Sequence, residues 1–174
     1  MIGLDTDFTI RPFAPGDAPR VRELFVTINR ELAPAHLRDT FEAYIARALT
    51  EEIDRIDEYY RERFGGFWVA VCGDRIVGTV GLEQTQEGAM ELRRMYVDSA
   101  QRRRGIARRM LRFAEDECRR RGIRRLELST AELQSAALAF YRSSGYRQAG
   151  VTVASEASNK TVGGIRRYHF EKSL

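Results

Sequence analysis

The chain has 174 residues, of which 43% are apolar and 31% charged, and its net charge is +4. That length predicts one domain over residues 1–174 with enough apolar content for a packed core and too much for a disordered chain. No apolar run nears the roughly 18 residues of a bilayer span, and two cysteines and two unpaired histidines make neither a disulfide framework nor a metal cluster, so the expectation is a cytoplasmic protein with no metal and no membrane contact.

Met1–Ile10 carries Asp5 and Asp7 and lacks an apolar stretch, so it does not read as a secretion leader. Phe8-Thr9-Ile10-Arg11-Pro12 alternates as a first strand, closed by proline. Pro15-Gly16-Asp17 is a turn, with Asp17 expected to cap a helix. Val21, Leu24, Phe25, Ile28 and Leu32 fall on one helical face, and Pro34 ends that helix. A second helix is expected from about Thr40 to Arg63, with Phe41, Ile45, Ala48, Leu49, Ile53, Ile56 and Tyr60 inward and a break near Thr50.

Gly65-Gly66 is a turn. Phe67 to Cys72 and Arg75 to Glu83 form a hairpin about Gly73-Asp74, and Gln86-Glu87-Gly88 turns into a strand from Met90 to Val97. A helix from about Arg104 to Arg121 buries Ile106, Met110, Leu111, Ala114 and Cys118 and stops at Gly122. Arg124 to Ser129 is a strand and Gln134 to Ser143 a helix closed by Gly145. Tyr146 to Ala154 and Ile165 to Glu171 are the last strands, joined by a polar loop from Ser155 to Gly164. The order is mixed α/β: about seven mostly antiparallel strands, about four helices, and one β-α-β unit that makes a parallel pair.

Two features carry chemistry. Only Lys160 and Lys172 are lysines, and the arginine excess concentrates between Arg102 and Arg125, where Gly105 opens a helix. First-turn N–H groups have no intrahelical partner and the helix dipole adds positive charge, so Gly105-x-Ala107 reads as a phosphate cradle with Cβ bulk removed. The competing reading is a solvated or nucleic-acid-binding basic patch. In strand 90–97, Leu92, Met95 and Val97 break the period of two. An extra residue near Arg93-Arg94 is expected, a bulge that bends the strand from its parallel neighbour and frees backbone groups in the gap. Met95 facing a second covered side of the sheet is the alternative.

Arg102-x-x-Gly105-x-Ala107, preceded by Leu92-Arg93-Arg94-Met95-Tyr96-Val97, resembles the acetyl-CoA motif of the GNAT N-acetyltransferase superfamily. Gln134-x-x-Ala137-x-x-Phe140-Tyr141-x-x-x-Gly145-Tyr146 resembles its second motif, with Gln134 where asparagine is usual. The opening Thr9-Ile10-Arg11-Pro12 and the order of elements are similar too. The resemblance implies a GNAT-like twisted sheet with a parallel splay, and N-acetyl transfer from acetyl-CoA to a primary amine by direct attack in a ternary complex.

Carried over by residue, it implies that Met95, Tyr96 and Val97 face the pantetheine arm and thioester. It further implies that Arg103, Arg104, Gly105, Ile106, Ala107 and Arg108 hold the pyrophosphate, that Gln134 contacts the coenzyme, and that Tyr141 is the general acid for the departing thiolate. A phenol in reach of a thiolate can protonate it; a core aromatic is the other reading of Tyr141. For the base, Glu91, Glu127 and Glu83 all lie on strands around the gap. Glu91 is preferred because it sits six residues before Val97, where the resemblance to the histone-acetylating branch of the superfamily implies the base, and Glu83 reads best as a surface carboxylate. The acidic run Glu51, Glu52, Asp54, Asp57 and Glu58 reads as a solvated helix face. The implied partners are a small-molecule or peptide amine and, in a homodimer, a second copy of the chain, with nucleic acid disfavoured. A basic nucleic-acid-binding module and a non-catalytic acyl-CoA sensor are the competing functions.

Overall fold

The structure, a computed structural model, describes residues 7–174; the reading of the first ten residues as leaderless therefore falls largely outside it. In chain order the strands are β1 (Thr9–Pro12), β2 (Gly66–Cys72), β3 (Arg75–Gln86), β4 (Ala89–Val97), β5 (Arg125–Ala131), β6 (Arg147–Val153) and β7 (Arg166–Ser173). The helices are α1 (Ala18–Leu32), α2 (Arg38–Glu51), α3 (Ile56–Glu62), α4 (Ile106–Arg120) and α5 (Ser135–Ser143). The strands form one sheet in the order β1-β2-β3-β4-β5-β7-β6. Every neighbouring pair is antiparallel except β4 and β5, which α4 joins as a parallel crossover.

The core explains why these segments take these conformations. In β2, Trp68 and Ala70 point to the α4 side of the sheet, while Phe67 and Val69 meet α1 and α3 on the other, the period of two expected of a strand covered on both faces. The stripe Ile106, Met110, Leu111, Ala114 and Cys118 of α4 is buried throughout, each large aliphatic side chain contributing about 1.5–3 kcal/mol. Gly122, at φ +73°, ends that helix in the left-handed region where an L side chain is strained.

The helical stretch expected from Thr40 to Arg63 is two helices, parted just past Thr50 where a break is expected. All seven of its inward residues are buried, but α2 stops at Glu51 and a helical turn over Ile53–Arg55 re-aims the chain. The reason is Glu52. It lies in the break, 0% exposed, and its carboxylate reaches β4. That corrects the solvated reading of the acidic run at this residue, although Asp54, Asp57 and Glu58 are exposed as expected. Asp17 also departs from expectation. Its carboxylate accepts from Arg11 and from the Ala14 N–H at 2.8 Å, fastening the turn before α1 to β1, and makes no cap bond to α1.

The bulge in β4 is present. Between the pairs Gly81–Arg93 and Thr79–Tyr96, β3 advances two residues while β4 advances three. Arg94 takes up the extra residue at φ +51°, a left-handed conformation that costs a non-glycine residue roughly 1–2 kcal/mol. Past it, β4 leaves β5: their parallel pairing runs only from Ala89–Arg125 to Glu91–Glu127, although both strands continue beyond those residues.

Candidate active site

The splay opens two cavities that meet. The larger, of about 650 Å³, is bounded by Met95, Tyr96 and Val97 of β4, by the loop and first turn of α4, and by Gln134 to Ala137, Phe140 and Tyr141 at α5. The smaller, of about 120 Å³, lies on the side of α1 and α2 and is bounded by Glu91 to Tyr96, by Leu128 to Ala131 of β5, and by Lys160, Val162 and Arg167. Met95, Tyr96, Gln134, Ala137 and Tyr141 line both.

The larger cavity is a backbone site. Asp98 starts its loop by accepting from the Ala100 N–H at 3.1 Å and from Arg20 at 2.6 Å, which ties the loop to α1. Arg103 and Gly105 both have positive φ, +64° and +77°. They swing the chain so that α4 begins at Ile106. The N–H groups of Ile106, Ala107 and Arg108 then have no intrahelical acceptor, and Arg109 is the first to donate within the helix, to the Gly105 carbonyl. A Cβ on Gly105 would meet nothing within 4 Å. Glycine is thus favoured there by its conformation and not by crowding from the protein. Arg102, Arg103 and Arg108 border the opening. Arg104 does not: its guanidinium donates to the Gln101 amide, so among the expected coenzyme contacts its side chain is turned elsewhere.

Gln134 lines both cavities, but its side-chain oxygen is already engaged, accepting from Thr130 Oγ1 at 2.7 Å and from the Ala131 N–H at 3.2 Å. It ties the start of α5 to the end of β5. Tyr141 is 7% exposed and packs against Phe140 and Tyr146. The ring is packed as a core aromatic is, and the residue also borders both cavities. Its hydroxyl has no hydrogen-bond partner among the described residues. Burial pushes its pKa up, with Tyr96 adding to the effect, so the phenol is protonated at neutral pH.

The smaller cavity is a side-chain site that the sequence did not reveal. Arg94 donates to both Glu52 oxygens, at 3.0 and 2.6 Å, to Tyr44 at 2.5 Å and to the Asn159 carbonyl at 2.5 Å. Arg93 donates to Glu52 at 2.8 Å, to Glu83 at 3.1 Å and to Tyr59 at 2.8 Å. Lys160 bridges Glu83 and Glu91. Three cations thus meet three carboxylates beside the bulge. Burial alone would raise Glu52, but Arg94, Arg93 and the Tyr60 hydroxyl outweigh it and hold the carboxyl below its usual range. Glu83 is likewise lowered against its burial by Arg93, Lys160 and Tyr59. The one advance signal was a pair of adjacent arginines inside an apolar strand.

The candidate bases separate on this geometry. Glu83 is buried, not a surface carboxylate, and its ion pairs make it a poor base. Glu127 is held by Arg125 at 2.8 Å and by Thr85 at 3.2 Å, and does not border the smaller cavity. Glu91 does border it, with one oxygen 2.9 Å from Lys160. Among the described residues no helix is long and apolar enough to cross a membrane, and no group of three or more metal-ligating side chains occurs.

This architecture has relatives. The PaiA N-acetyltransferase of Thermoplasma acidophilum, solved in complex with coenzyme A, superposes with a TM-score of 0.74 at 18% identity over 97% of this chain and 99% of its own. A GNAT-family acetyltransferase from Staphylococcus aureus gives 0.74 at 19% identity over 97% and 99%. In sequence, N-acetyltransferase family 8 member 2 of Rattus norvegicus is 30% identical over 136 residues, 75% of this chain and 59% of its own length. The N-acetylaspartate synthetase of Danio rerio is 32% identical over 132 residues, 75% and 45%. The chain thus spans about half the length of these curated relatives. A profile of the acetyltransferase (GNAT) family matches residues 29–146, more than half of the chain, and with the splayed β4–β5 pair it establishes that the chain belongs to the GNAT acetyltransferase family.

Proposed function

We propose that the chain transfers an acetyl group from acetyl-CoA to a primary amine by direct attack within a ternary complex. The observation that carries this is the meeting of the two cavities at Met95, Tyr96 and Tyr141, where β4 parts from β5. A thioester lying along the free edge of β4 would place its carbonyl between a site of phosphate-cradling character and a small polar acceptor chamber. The larger cavity suits coenzyme A: its mouth offers unpaired N–H groups at the start of α4 and a rim of arginines. The backbone of Met95, Tyr96 and Val97 would pair with the pantetheine arm, Gly105 to Arg108 would hold the pyrophosphate, and the α5 segment from Gln134 would cover the arm.

The amine must lose a proton to attack, and Glu91, as the carboxylate bordering the acceptor chamber, takes it directly or through water. Nitrogen then bonds to the thioester carbon, the carbon–sulfur bond breaks, and the Tyr141 hydroxyl donates to the departing thiolate. Two free cysteines, Cys72 and Cys118, accord with the reducing cytoplasm as its setting.

The test is acetyl-CoA turnover against a panel of amines, amino acids, polyamines and peptides, read as thiol release. Coenzyme A at 100 times its dissociation constant should also stabilise the fold by about 2.7 kcal/mol. No thiol release and no melting shift with millimolar coenzyme, alongside a large shift with DNA, would replace this reading with that of a basic nucleic-acid-binding module. A shift without turnover of any amine would favour an acyl-CoA sensor.

A further inference from the structure

The acceptor chamber holds one positive charge more than its carboxylates balance. Arg93, Arg94 and Lys160 are each paired with Glu52, Glu83 or Glu91. Arg167 of β7, which lines the same chamber, has no ion-pair partner among the described residues. Its guanidinium is held along one edge only: Nη2 donates to the Ser129 carbonyl at 3.1 Å and to Ser129 Oγ at 3.0 Å, and Nε reaches Oγ at 3.3 Å. Both Nη1 hydrogens have no acceptor among the described residues. Ser129 therefore orients the guanidinium and leaves Nη1 to donate into the chamber.

Arg167 also differs electrically from its neighbours. Arg93 and Arg94 are raised in pKa, since Glu52 and other partners outweigh their burial. Arg167 is lowered: burial is the largest cause and Arg94 adds repulsion, while Tyr44, Tyr96 and the more distant Glu91 offset them only in part. A largely buried guanidinium facing a cavity without a counter-ion is a seat for an anion, and its planar fork matches a carboxylate. The chamber, of about 120 Å³ and open to the larger cavity, has room for an acid group beside an amine.

Building on the acetyl-transfer reading, we propose that the acceptor is a small amine that also carries a carboxylate, an amino acid in the broad sense, and that Arg167 receives the carboxylate while the amine faces Glu91. Arg167 is then a specificity-determining residue.

The experiment compares kcat/KM for α-amino acids with kcat/KM for the same amines lacking the carboxylate, such as phenylalanine against phenethylamine and alanine against ethylamine, in the parent, Arg167→Lys and Arg167→Gln. A charge-assisted contact predicts a preference of about 10–100-fold for the best acid in the parent. Arg167→Lys should retain part of that ratio and Arg167→Gln should bring it near one. A second arm needs no turnover: calorimetric binding of N-acetyl-amino acids to the coenzyme A complex, expected to weaken by the same factor in Arg167→Gln. Equal use of acids and their decarboxylated partners by the parent, or a ratio that survives in Arg167→Gln, overturns the carboxylate seat and leaves acetyl transfer standing. Arg167-dependent binding with no turnover of any amine does the reverse. Failure of both turnover and binding also overturns the seat.

Discussion

The two halves of the site are built on opposite principles. On the coenzyme side the polar groups are backbone: Gly105 and the first turn of α4 supply N–H donors within six residues of sequence. On the proposed acceptor side they are mostly side chains from α2, α3, β3, β4, β5, β7 and the loop before β7, with partners such as Arg93 and Glu52 separated by 41 residues. A local backbone site tolerates change at most positions if the chain conformation survives. A buried ionic site does not, because each charge is compensated by particular partners. The contrast sets where mutations should hurt chemistry and where they should hurt the fold.

The largest effect is expected where the halves meet. Tyr141→Phe keeps the ring packed against Phe140 and Tyr146, so denaturant unfolding should change little. Acetyl transfer should fall about 10²–10⁴-fold, the range for a lost general acid. Unchanged turnover would make Tyr141 purely core and leave the thiolate without a donor.

Glu52→Ala tests the acceptor side as a structural device. Removing it strands Arg93 and Arg94 without their shared carboxylate, and uncompensated buried charge costs about 3–5 kcal/mol, measurable by urea unfolding. The sign of the pH response follows from the lowered folded-state pKa of Glu52 and Glu83. Their stabilisation is fully present above the unfolded carboxylate value of about 4.3 and is lost as pH falls through the lower folded value. Glu52→Gln should flatten that acid limb, and a variant as stable as the parent with the same limb would show that the network does not hold the bulge.

Glu91→Gln, with its shape kept, should lower acetyl transfer by about 10²-fold or more near neutral pH. That loss should shrink as pH rises and the amine deprotonates unaided. A pH-independent loss would instead indicate damage to the neighbouring backbone of β4, and a parental profile would hand the role to Glu127.

On the coenzyme side the effect divides differently. Gly105→Ala should cost roughly 1–2 kcal/mol of stability from its positive φ, and Gly105→Val should abolish coenzyme binding by calorimetry while the protein remains folded. Normal binding by Gly105→Val would move the phosphate site elsewhere. The smallest change concerns the cysteines. Burial raises Cys118 to about 11, so a thiol reagent at neutral pH should label half-buried Cys72 and spare Cys118 until the protein unfolds.

Features set at short range were legible in the order of the residues. The stripe of α4, the hairpin at Gly73-Asp74, the left-handed stop at Gly122 and the bulge at Arg93-Arg94 are all consequences of neighbours within a few residues. So is the helix start at Gly105, because helix starts and glycine conformations are local. Tertiary structure alone decided the rest. A carboxylate in an acidic run, Glu52, became the most buried charge in the site, and Glu83 became the centre of an ion network, because the partners that make such burial tolerable come from distant segments. The strand order that sets β7 between β5 and β6, and so brings Arg167 to the acceptor chamber, is a long-range pairing with no local signature. Charge compensation and strand order are properties of contacts across the fold, and only the assembled sheet brings those contacts together.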